Sequence, residues 1–213
     1  MKNSTAITLA SIVAISIFIG GCAMTTGQIA DGRYFSPLNN FSVPIPDGLG
    51  LRVQEEGATE GGGVAFHDDL GNLKSIFYLH ISPETLNTQN DIIKQRAILV
   101  SFLDDFAMPN LFKSVSPGAN ILHREHINVE DYNAYFAIVE IPGGSTMFDV
   151  RANKEFDTKR GLLIFVNGEF MYMLSSGENP SVLELGQPAK PLDKLVEHEK
   201  DSLLSFRTRI IFK

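Results

Sequence analysis

Alternation of apolar and polar residues dominates this chain and predicts a mainly antiparallel β-structure. The alternating segments are separated by clusters of glycine, proline, asparagine and aspartate, which favour turns. They predict single strands at residues 41–48, 51–54 and 209–212. They also predict three hairpins, which join 64–67 to 73–82, 119–128 to 133–141, and 159–166 to 169–175. Residues 55–63, which read EEGATEGGG, are predicted to form a flexible loop.

Two local signals indicate where particular strands lie in a sheet and how they connect. Pro44 and Pro46 lie in the segment 41–48, and because proline cannot donate a hydrogen bond to a neighbouring strand, this strand is predicted at a sheet edge. Asn167-Gly168 separates two apolar runs and predicts a hairpin with a type I′ turn.

Two segments have apolar residues at helical spacing. The first starts with a capping signature, Thr88 followed by Asp91, and its apolar stripe runs to Ala107, before Pro109 ends or kinks the helix. The second starts near Pro191, and its apolar face consists of Leu192, Leu195, Val196, Leu203 and Phe206. Helices combined with antiparallel strands predict the α+β fold class.

The first residues have the pattern of a secretory signal. Lys2 supplies a positive charge, residues 6–19 are nearly all apolar, and Gly20 and Gly21 are small residues of the kind found at cleavage sites. A membrane-spanning helix needs about 20 apolar residues, and this run is shorter, so a transmembrane segment is the second interpretation.

Cys22 is the single cysteine of the chain. Ile19-Gly20-Gly21-Cys22 resembles the lipobox of bacterial lipoproteins, in which two small residues precede the cysteine. The resemblance implies cleavage before Cys22, a diacylglyceryl group on its thiol and further acylation of the new amino group. Two or more acyl chains give stable membrane anchoring. Ala23 stands where an aspartate favours inner-membrane retention in such lipoproteins, which implies the outer membrane, facing the periplasm.

These signals divide the chain into three parts. Residues 1–21 are the predicted signal peptide, 22–34 a lipidated tether, and 35–213 one globular domain, a length typical of single domains. The tether reaches about 40 Å when fully stretched, which keeps the domain near the membrane.

Charge and cysteine content exclude several classes of function. Loss of residues 1–21 removes Lys2 and takes the formal net charge from −7 to −8. This acidity argues against nucleic-acid binding and against a globule lying flat on anionic lipid. With Cys22 acylated, no thiol remains for a disulfide, a nucleophile or a metal site.

The order of elements resembles the PsbP-like family. An early strand FSVPIP, one helix in the middle of the chain, the hairpin RGLLIFVNGEFMYML and a C-terminal helix near SLLSF carry the resemblance. It implies an antiparallel sheet with helices packed on both faces, an α/β/α sandwich, over residues 35–213. It also implies an accessory binding protein, because such proteins are mostly subunits of membrane complexes, adaptors and lipoproteins without shared catalytic residues.

The segment His123-Arg124-Glu125-His126 is the strongest metal-binding candidate. A helix would place both histidines on one face, but on a strand residues three apart point to opposite faces. The strand prediction therefore leaves two separate polar histidines, and we expect no metal site.

Other polar clusters are expected to be structural. Residues 67–69, His-Asp-Asp, lack the spacing of a calcium loop and are expected in an acidic turn. His80 is expected in the core or in a cross-strand pair. Gly144-Ser145 is expected in a turn, and the chain contains no G-x-S-x-G motif. No catalytic residue is predicted, although a triad that meets only in space stays open.

One apolar cluster has two interpretations. Met171, Tyr172 and Met173, beside Phe170, form either a strand of the core, which we favour, or an adaptable binding groove.

We expect a lipid-anchored, non-catalytic accessory protein of the cell envelope, without a cofactor, that binds another envelope protein or a small apolar ligand. The alternatives are an envelope hydrolase with an unrecognised active site and a structural lipoprotein.

Overall fold

A computed structural model describes residues 26–48, 50–58, 60–69, 72–82, 91–129, 132–144, 148–149, 154–155, 157–178 and 190–213. The predicted signal segment, Cys22, Thr88 and Ser145 lie outside these ranges. No helix within them is long and apolar enough to cross a membrane.

The described elements are mainly strands. In chain order they are β1 (Gln28–Ala30), β2 (Arg33–Phe35), β3 (Phe41–Pro44), β4 (Arg52–Ala58), β5 (Gly61–His67), β6 (Leu73–His80), α1 (Ile92–Ser101), a π-helical segment (Phe102–Phe112), β7 (Asn120–Val129), β8 (Tyr132–Ile141), β9 (Phe148–Asp149), β10 (Lys154–Glu155), β11 (Thr158–Asn167), β12 (Phe170–Glu178), α2 (Leu192–Thr208) and β13 (Ile211–Phe212). Antiparallel strands with separate helices confirm the α+β fold class.

The strands of the described residues form three antiparallel sheets. The main sheet has the order β4-β5-β6-β12-β11-β8-β7, a smaller one has the order β1-β2-β3-β13, and β9 pairs with β10. The main sheet contains the three predicted hairpins, β5–β6, β7–β8 and β11–β12. The predicted last strand is β13.

Two apolar clusters pack against the main sheet. Along β11, Leu163 and Phe165 belong to one cluster, whereas Leu162 and Ile164 belong to the other. The first cluster also contains Leu203 and Phe206 of α2 and core residues of the small sheet, Tyr34, Phe41 and Val43. The second contains residues of α1 and the π-helical segment, Leu99, Phe102, Leu103, Ala107, Met108 and Phe112.

The predicted edge position of the first strand is wrong. β3 lies between β2 and β13, with Ser42 paired to both Phe35 and Ile211. The Ile45 amide donates to the Gly32 carbonyl on the β2 side. Backbone amides point alternately to the two sides of a strand, so an amide at position 44 would point towards β13. Pairing with β13 already ends at Ser42. The missing N–H therefore costs no ladder bond.

The predicted loop at residues 55–63 is also wrong, because β4 and β5 form a hairpin across this segment. The three glycines start β5 instead of a loop, with Gly62 paired to Tyr78 of β6. A Cβ at Gly61 would lie 2.6 Å from the Tyr78 carbonyl oxygen, and one at Gly62 would lie 2.7 Å from Tyr78 Oη. The absence of side chains lets the buried Tyr78 ring pack against the strand.

The predicted tether is too long at its C-terminal end. β1 lies inside residues 22–34 and β2 overlaps the C-terminal boundary of this segment. The two strands pair with each other, and β2 also pairs with β3 of the small sheet. Tyr34 is 1% exposed and belongs to the first apolar cluster. The globular fold therefore begins by Gln28.

The β11–β12 turn differs from the prediction by one residue. Asn167 pairs with Phe170, so the two loop residues are Gly168 and Glu169. Gly168 has a φ of +58°, whereas Glu169 has no positive φ. A positive φ at the first loop residue alone is typical of type II′, which also matches the twist of a hairpin.

Replacement of a core aromatic tests the two-cluster arrangement. We expect Phe165→Ala to lower the free energy of unfolding by about 3–5 kcal/mol, because a fully buried ring is lost and a cavity remains. Ile93→Ala is the matched control, since Ile93 is 75% exposed. This control should change the free energy of unfolding by about 0.5 kcal/mol or less. Urea unfolding followed by circular dichroism measures both, and equal losses would contradict the packing.

Candidate functional site

An open cleft of about 530 Å³ lies between the edge strand β7 and the π-helical segment. Within the described part of the chain β7 ends the main sheet and pairs with β8 on one side. The cleft is lined from both elements and their adjoining residues, by Asp104, Met108, Lys113, Ala119, Asn120, Ile121, Leu122, His123 and Arg124.

A β-bulge interrupts β7 where it lines the cleft. Ile121 pairs with Val139 and His123 with Ile138, so Leu122 is an extra residue without a partner in β8. Bulges bend a strand and break its regular pairing, and they are frequent at sheet edges and next to binding sites.

The other wall of the cleft is formed by a helix that changes type. Asp91 caps α1 by accepting hydrogen bonds from the Ile93 and Lys94 amides at 3.0 and 3.3 Å. The hydrogen bond from the Lys94 amide has the largest effect in lowering the pKa of the Asp91 carboxyl group, and that from Ile93 adds to it. At the far end the Lys113 amide donates to the Met108 carbonyl at 2.8 Å, five residues back.

The helix was predicted to end or kink at Pro109, yet it continues to Phe112. An α-helix would lose a hydrogen bond at proline and bring its ring against the carbonyl four residues back. The wider π-helical turn avoids this contact, so Pro109 is accommodated inside the helix. Such turns are rare and often occur at functional sites.

Charged residues line the cleft on the side of the π-helical segment. Arg124 Nη1 donates to both carboxylate oxygens of Asp104, at 3.0 and 3.3 Å. Lys113 is exposed and forms no ion pair with any described side chain. Further along β7, Arg96 donates to Asn128 Oδ1 at 3.3 Å. The pKa of His126 is lowered, mainly because the imidazole is partly buried and to a lesser extent because the positive charge of Arg96 is nearby.

The two histidines of segment 123–126 lie on opposite faces of the sheet, as the strand prediction required. His123 pairs with Ile138 of the first cluster, and His126 with Tyr135 of the second. On the His123 side Lys200 of α2 lies 2.5 Å from Glu125, and its hydrogen bond lowers the pKa of Glu125. The described residues contain no group of three or more potential metal ligands.

The acidic turn at residues 67–69 is confirmed. Asp68 accepts hydrogen bonds from the backbone amide and the side-chain amide of Asn72, at 2.9 and 3.0 Å. Asp69 forms an exposed ion pair with Arg52 at 2.6 Å. Both carboxylates thus stabilise the turn between β5 and β6 and the adjacent strand β4.

His80 lies in a cross-strand environment, as expected. Its Nε2 is 3.5 Å from a Glu169 carboxylate oxygen, and its ring meets Phe170 edge-on at 5.3 Å between centroids. Gly144 follows a turn in which Gly143 has a φ of +64°.

The apolar cluster at Met171, Tyr172 and Met173 belongs to the core. The three residues are 2%, 1% and 5% exposed, and they divide between the two apolar clusters on alternate sides of β12. Their burial means that they do not form an open groove, so the cleft beside β7 is the better binding candidate.

The sequence did not reveal a buried polar cluster between the main sheet and α2. Ser176 donates to the carboxylate of Glu199, which is 2% exposed, and Lys74 Nζ contacts Ser202 Oγ. A Cβ at Gly161 would lie 2.8 Å from the Glu199 Cβ, so this glycine makes room for the carboxylate. One sequence signal could have located this cluster. Glu199 lies four residues from both Leu195 and Leu203, which places it on the apolar face of the helix.

A second polar contact fastens the first described residues to the core. Glu55 accepts hydrogen bonds from Tyr34 Oη and, at 2.9 Å, from the Gly27 amide. Burial and then the Glu55 hydrogen bond raise the pKa of Tyr34, and burial raises the pKa of Tyr78 to about 12. Both phenols are therefore neutral at physiological pH, and that of Tyr34 donates its hydrogen bond to Glu55.

No protein-family model and no curated protein matches the sequence. Among solved structures the chain is similar to cyanobacterial PsbP (CyanoP) from Synechocystis sp. PCC 6803, with a TM-score of 0.47 and 14% identity over 92% of this chain and 99% of that one. It is also similar to a structure from Bacteroides thetaiotaomicron, with a TM-score of 0.44 and 9% identity over 85% of this chain and 48% of that one.

The Glu125–Lys200 pair predicts a pH-dependent contribution to stability. The pKa of Glu125 is lower in the folded protein than its ordinary value of 4.5, so the pair stabilises the fold above that pH and is lost as the pH falls below it. We expect Glu125→Gln to lower the free energy of unfolding at neutral pH by about 1 kcal/mol or less, because solvent screens the pair.

The difference between Glu125→Gln and the unmodified protein should shrink as the pH falls below the ordinary glutamate value. Urea unfolding over a pH series measures it, and Lys200→Gln serves as the matched control for loss of the other partner. A difference that stays constant through the acid range would show that the pair is not responsible.

Proposed function

We propose that this protein is a lipid-anchored, non-catalytic accessory protein of the cell envelope that binds another envelope protein. In this proposal Cys22 carries the lipid and the globule faces the periplasm from the outer membrane. The anchor is supported by Ile19-Gly20-Gly21-Cys22 at the end of an apolar run.

The proposed architecture is the PsbP-like α/β/α sandwich, with helices on both faces of the main sheet. Its support is the alternation along β11. Leu162 shares a cluster with α1 and the π-helical segment, and Leu163 shares the other with α2. This arrangement covers both faces of the central strands and leaves β7 at the end of the sheet.

The cleft beside β7 is the observation that carries the binding function. Its lining combines five polar or charged residues with four apolar ones, which suits a protein segment better than a small apolar ligand. An occupant that touches both walls runs along an edge strand, and extended segments commonly bind by adding a strand to such an edge. Lys113, without an ion-pair partner among the described side chains, is available to a carboxylate of the partner.

One contact favours the alternative, an envelope hydrolase. Lys74 Nζ contacts Ser202 Oγ, and a lysine serves as the base for serine in some hydrolases. Labelling of the purified protein by a fluorophosphonate probe, lost in Ser202→Ala and kept in Ser205→Ala, would support that alternative over the accessory function.

The lipid anchor is tested by intact mass of the protein extracted from membranes. We expect loss of residues 1–21 and added mass from several acyl chains on Cys22. Cys22→Ser should be unacylated and should leave the membrane fraction. An unprocessed, unacylated chain in membranes would show that the apolar run is itself the anchor.

The cleft is tested by site-specific photo-crosslinking in intact cells. A photo-crosslinking residue in place of Asn120, inside the cleft, should form a discrete adduct with one envelope protein. The same residue in place of the exposed Ile93 on α1 is the control and should not. Lys113→Glu should remove the Asn120 adduct while the acyl mass on Cys22 is unchanged. Identical adducts from both positions would contradict binding at the cleft.

A further inference from the structure

The small sheet has an outer face that leaves apolar side chains in solvent. Tyr34 and Val43 point into the first apolar cluster, so the alternate residues Phe35 and Ser42, with Ile211 paired to Ser42, lie on the other face. Ile211 is 54% exposed, and Leu38, in the turn between β2 and β3, is 36% exposed. We call Phe35, Leu38 and Ile211 the outer patch.

Two cations border the outer patch. Lys213 Nζ lies 5.8 Å from the centroid of the Phe35 ring and 2.5 Å from Asn39 Oδ1. Arg33 donates to the Ser42 carbonyl at 3.1 Å and to Ser42 Oγ at 3.2 Å. Neither cation forms an ion pair with a carboxylate of the described chain. The acidic protein thus has a basic, apolar area on this sheet, with Asp31 in the neighbouring turn.

The chain length between the lipid and the fold limits where this sheet can lie. β1 begins at Gln28, six residues after Cys22, and six extended residues span at most about 20 Å. Acylation of Cys22, on which this inference rests, therefore keeps Gln28 within about 20 Å of the lipid surface. Gln28 pairs with Phe35, so this limit places the β1 end of the small sheet close to that surface.

We propose that the outer patch rests on the lipid surface that holds the acyl chains of Cys22. Apolar side chains enter the interfacial region of a bilayer, and lysine and arginine beside them meet anionic lipid phosphates. Phe35, Leu38 and Ile211 supply the first contact, and Arg33 and Lys213 supply the second. The globule is then held at the membrane in one orientation instead of moving freely on a tether.

Quenching by brominated lipids tests this orientation. The full, acylated chain carrying Ile211→Cys is labelled with an environment-sensitive fluorophore and reconstituted into phosphatidylethanolamine–phosphatidylglycerol vesicles with lipids brominated near the headgroup. Acylation of Cys22 leaves the introduced thiol as the single labelling site. We expect the brominated lipids to quench the label at position 211, and Lys213→Glu to reduce this quenching.

Val115→Cys is the matched control, because Val115 is 80% exposed and follows the π-helical segment. That segment packs in the second apolar cluster, whereas the small sheet packs in the first. Its label should not be quenched. Leu38→Cys repeats the test in case Ile211→Cys disturbs β13. Vesicle-bound, acylated protein with equal emission at positions 38, 211 and 115 would overturn the orientation and leave the anchor intact. A chain without acyl mass that fails to float with vesicles would overturn both.

Discussion

The burial of β11 on both faces is the constraint on which the rest of the structure depends. Residues 162–165 are four consecutive apolar side chains with no exposed surface. A strand of this kind is stable only when a layer covers each face, because each side chain exposed again would cost about 1.5–3 kcal/mol. The π-helical segment and α1 contribute to one cluster, and α2 with the small sheet to the other. Pairing of β3 with β13 therefore joins an early and a late segment of the described chain in the sheet that contributes to this second cluster.

Local patterns predicted those elements whose partners lie close in sequence. The three hairpins and both helices follow from alternation, spacing and turn residues near them. The glycines at 61–63 were not predicted as a strand because they carry no side chains that could alternate and because glycine is unfavourable in strands. β2 was not predicted because three residues are too few to show a period of two. The π-helical turn escaped for another reason, since proline in a helix predicts a break unless the surrounding packing keeps the helix intact.

The candidate site was only partly visible in the sequence for a similar reason. Alternation placed His123 and His126 on opposite faces of one strand, and the structure has them there. It did not show that β7 would be the last strand of the sheet, because strand order depends on long-range pairing. The contact of Glu125 with Lys200 joins elements far apart in the chain, and the contact of Arg124 with Asp104 depends on how the π-helical segment packs beside β7. The residue types of the site were therefore visible in the sequence, whereas the cleft that they line was not.

The two proposed surfaces lie on different sheets, and this separation suits the proposed role of an anchored binding protein. The net charge is −7 for the full chain and −8 without residues 1–21, and it repels the protein as a whole from anionic lipid. Contact therefore requires a local area with the opposite charge, which the small sheet supplies through Arg33 and Lys213. β7 belongs to the main sheet and has its own rim charge at Lys113. A rigid core between the two allows the lipid contact to orient the cleft. In this proposal binding at β7 needs no change in the anchor, and the partner would meet the edge strand in a fixed direction.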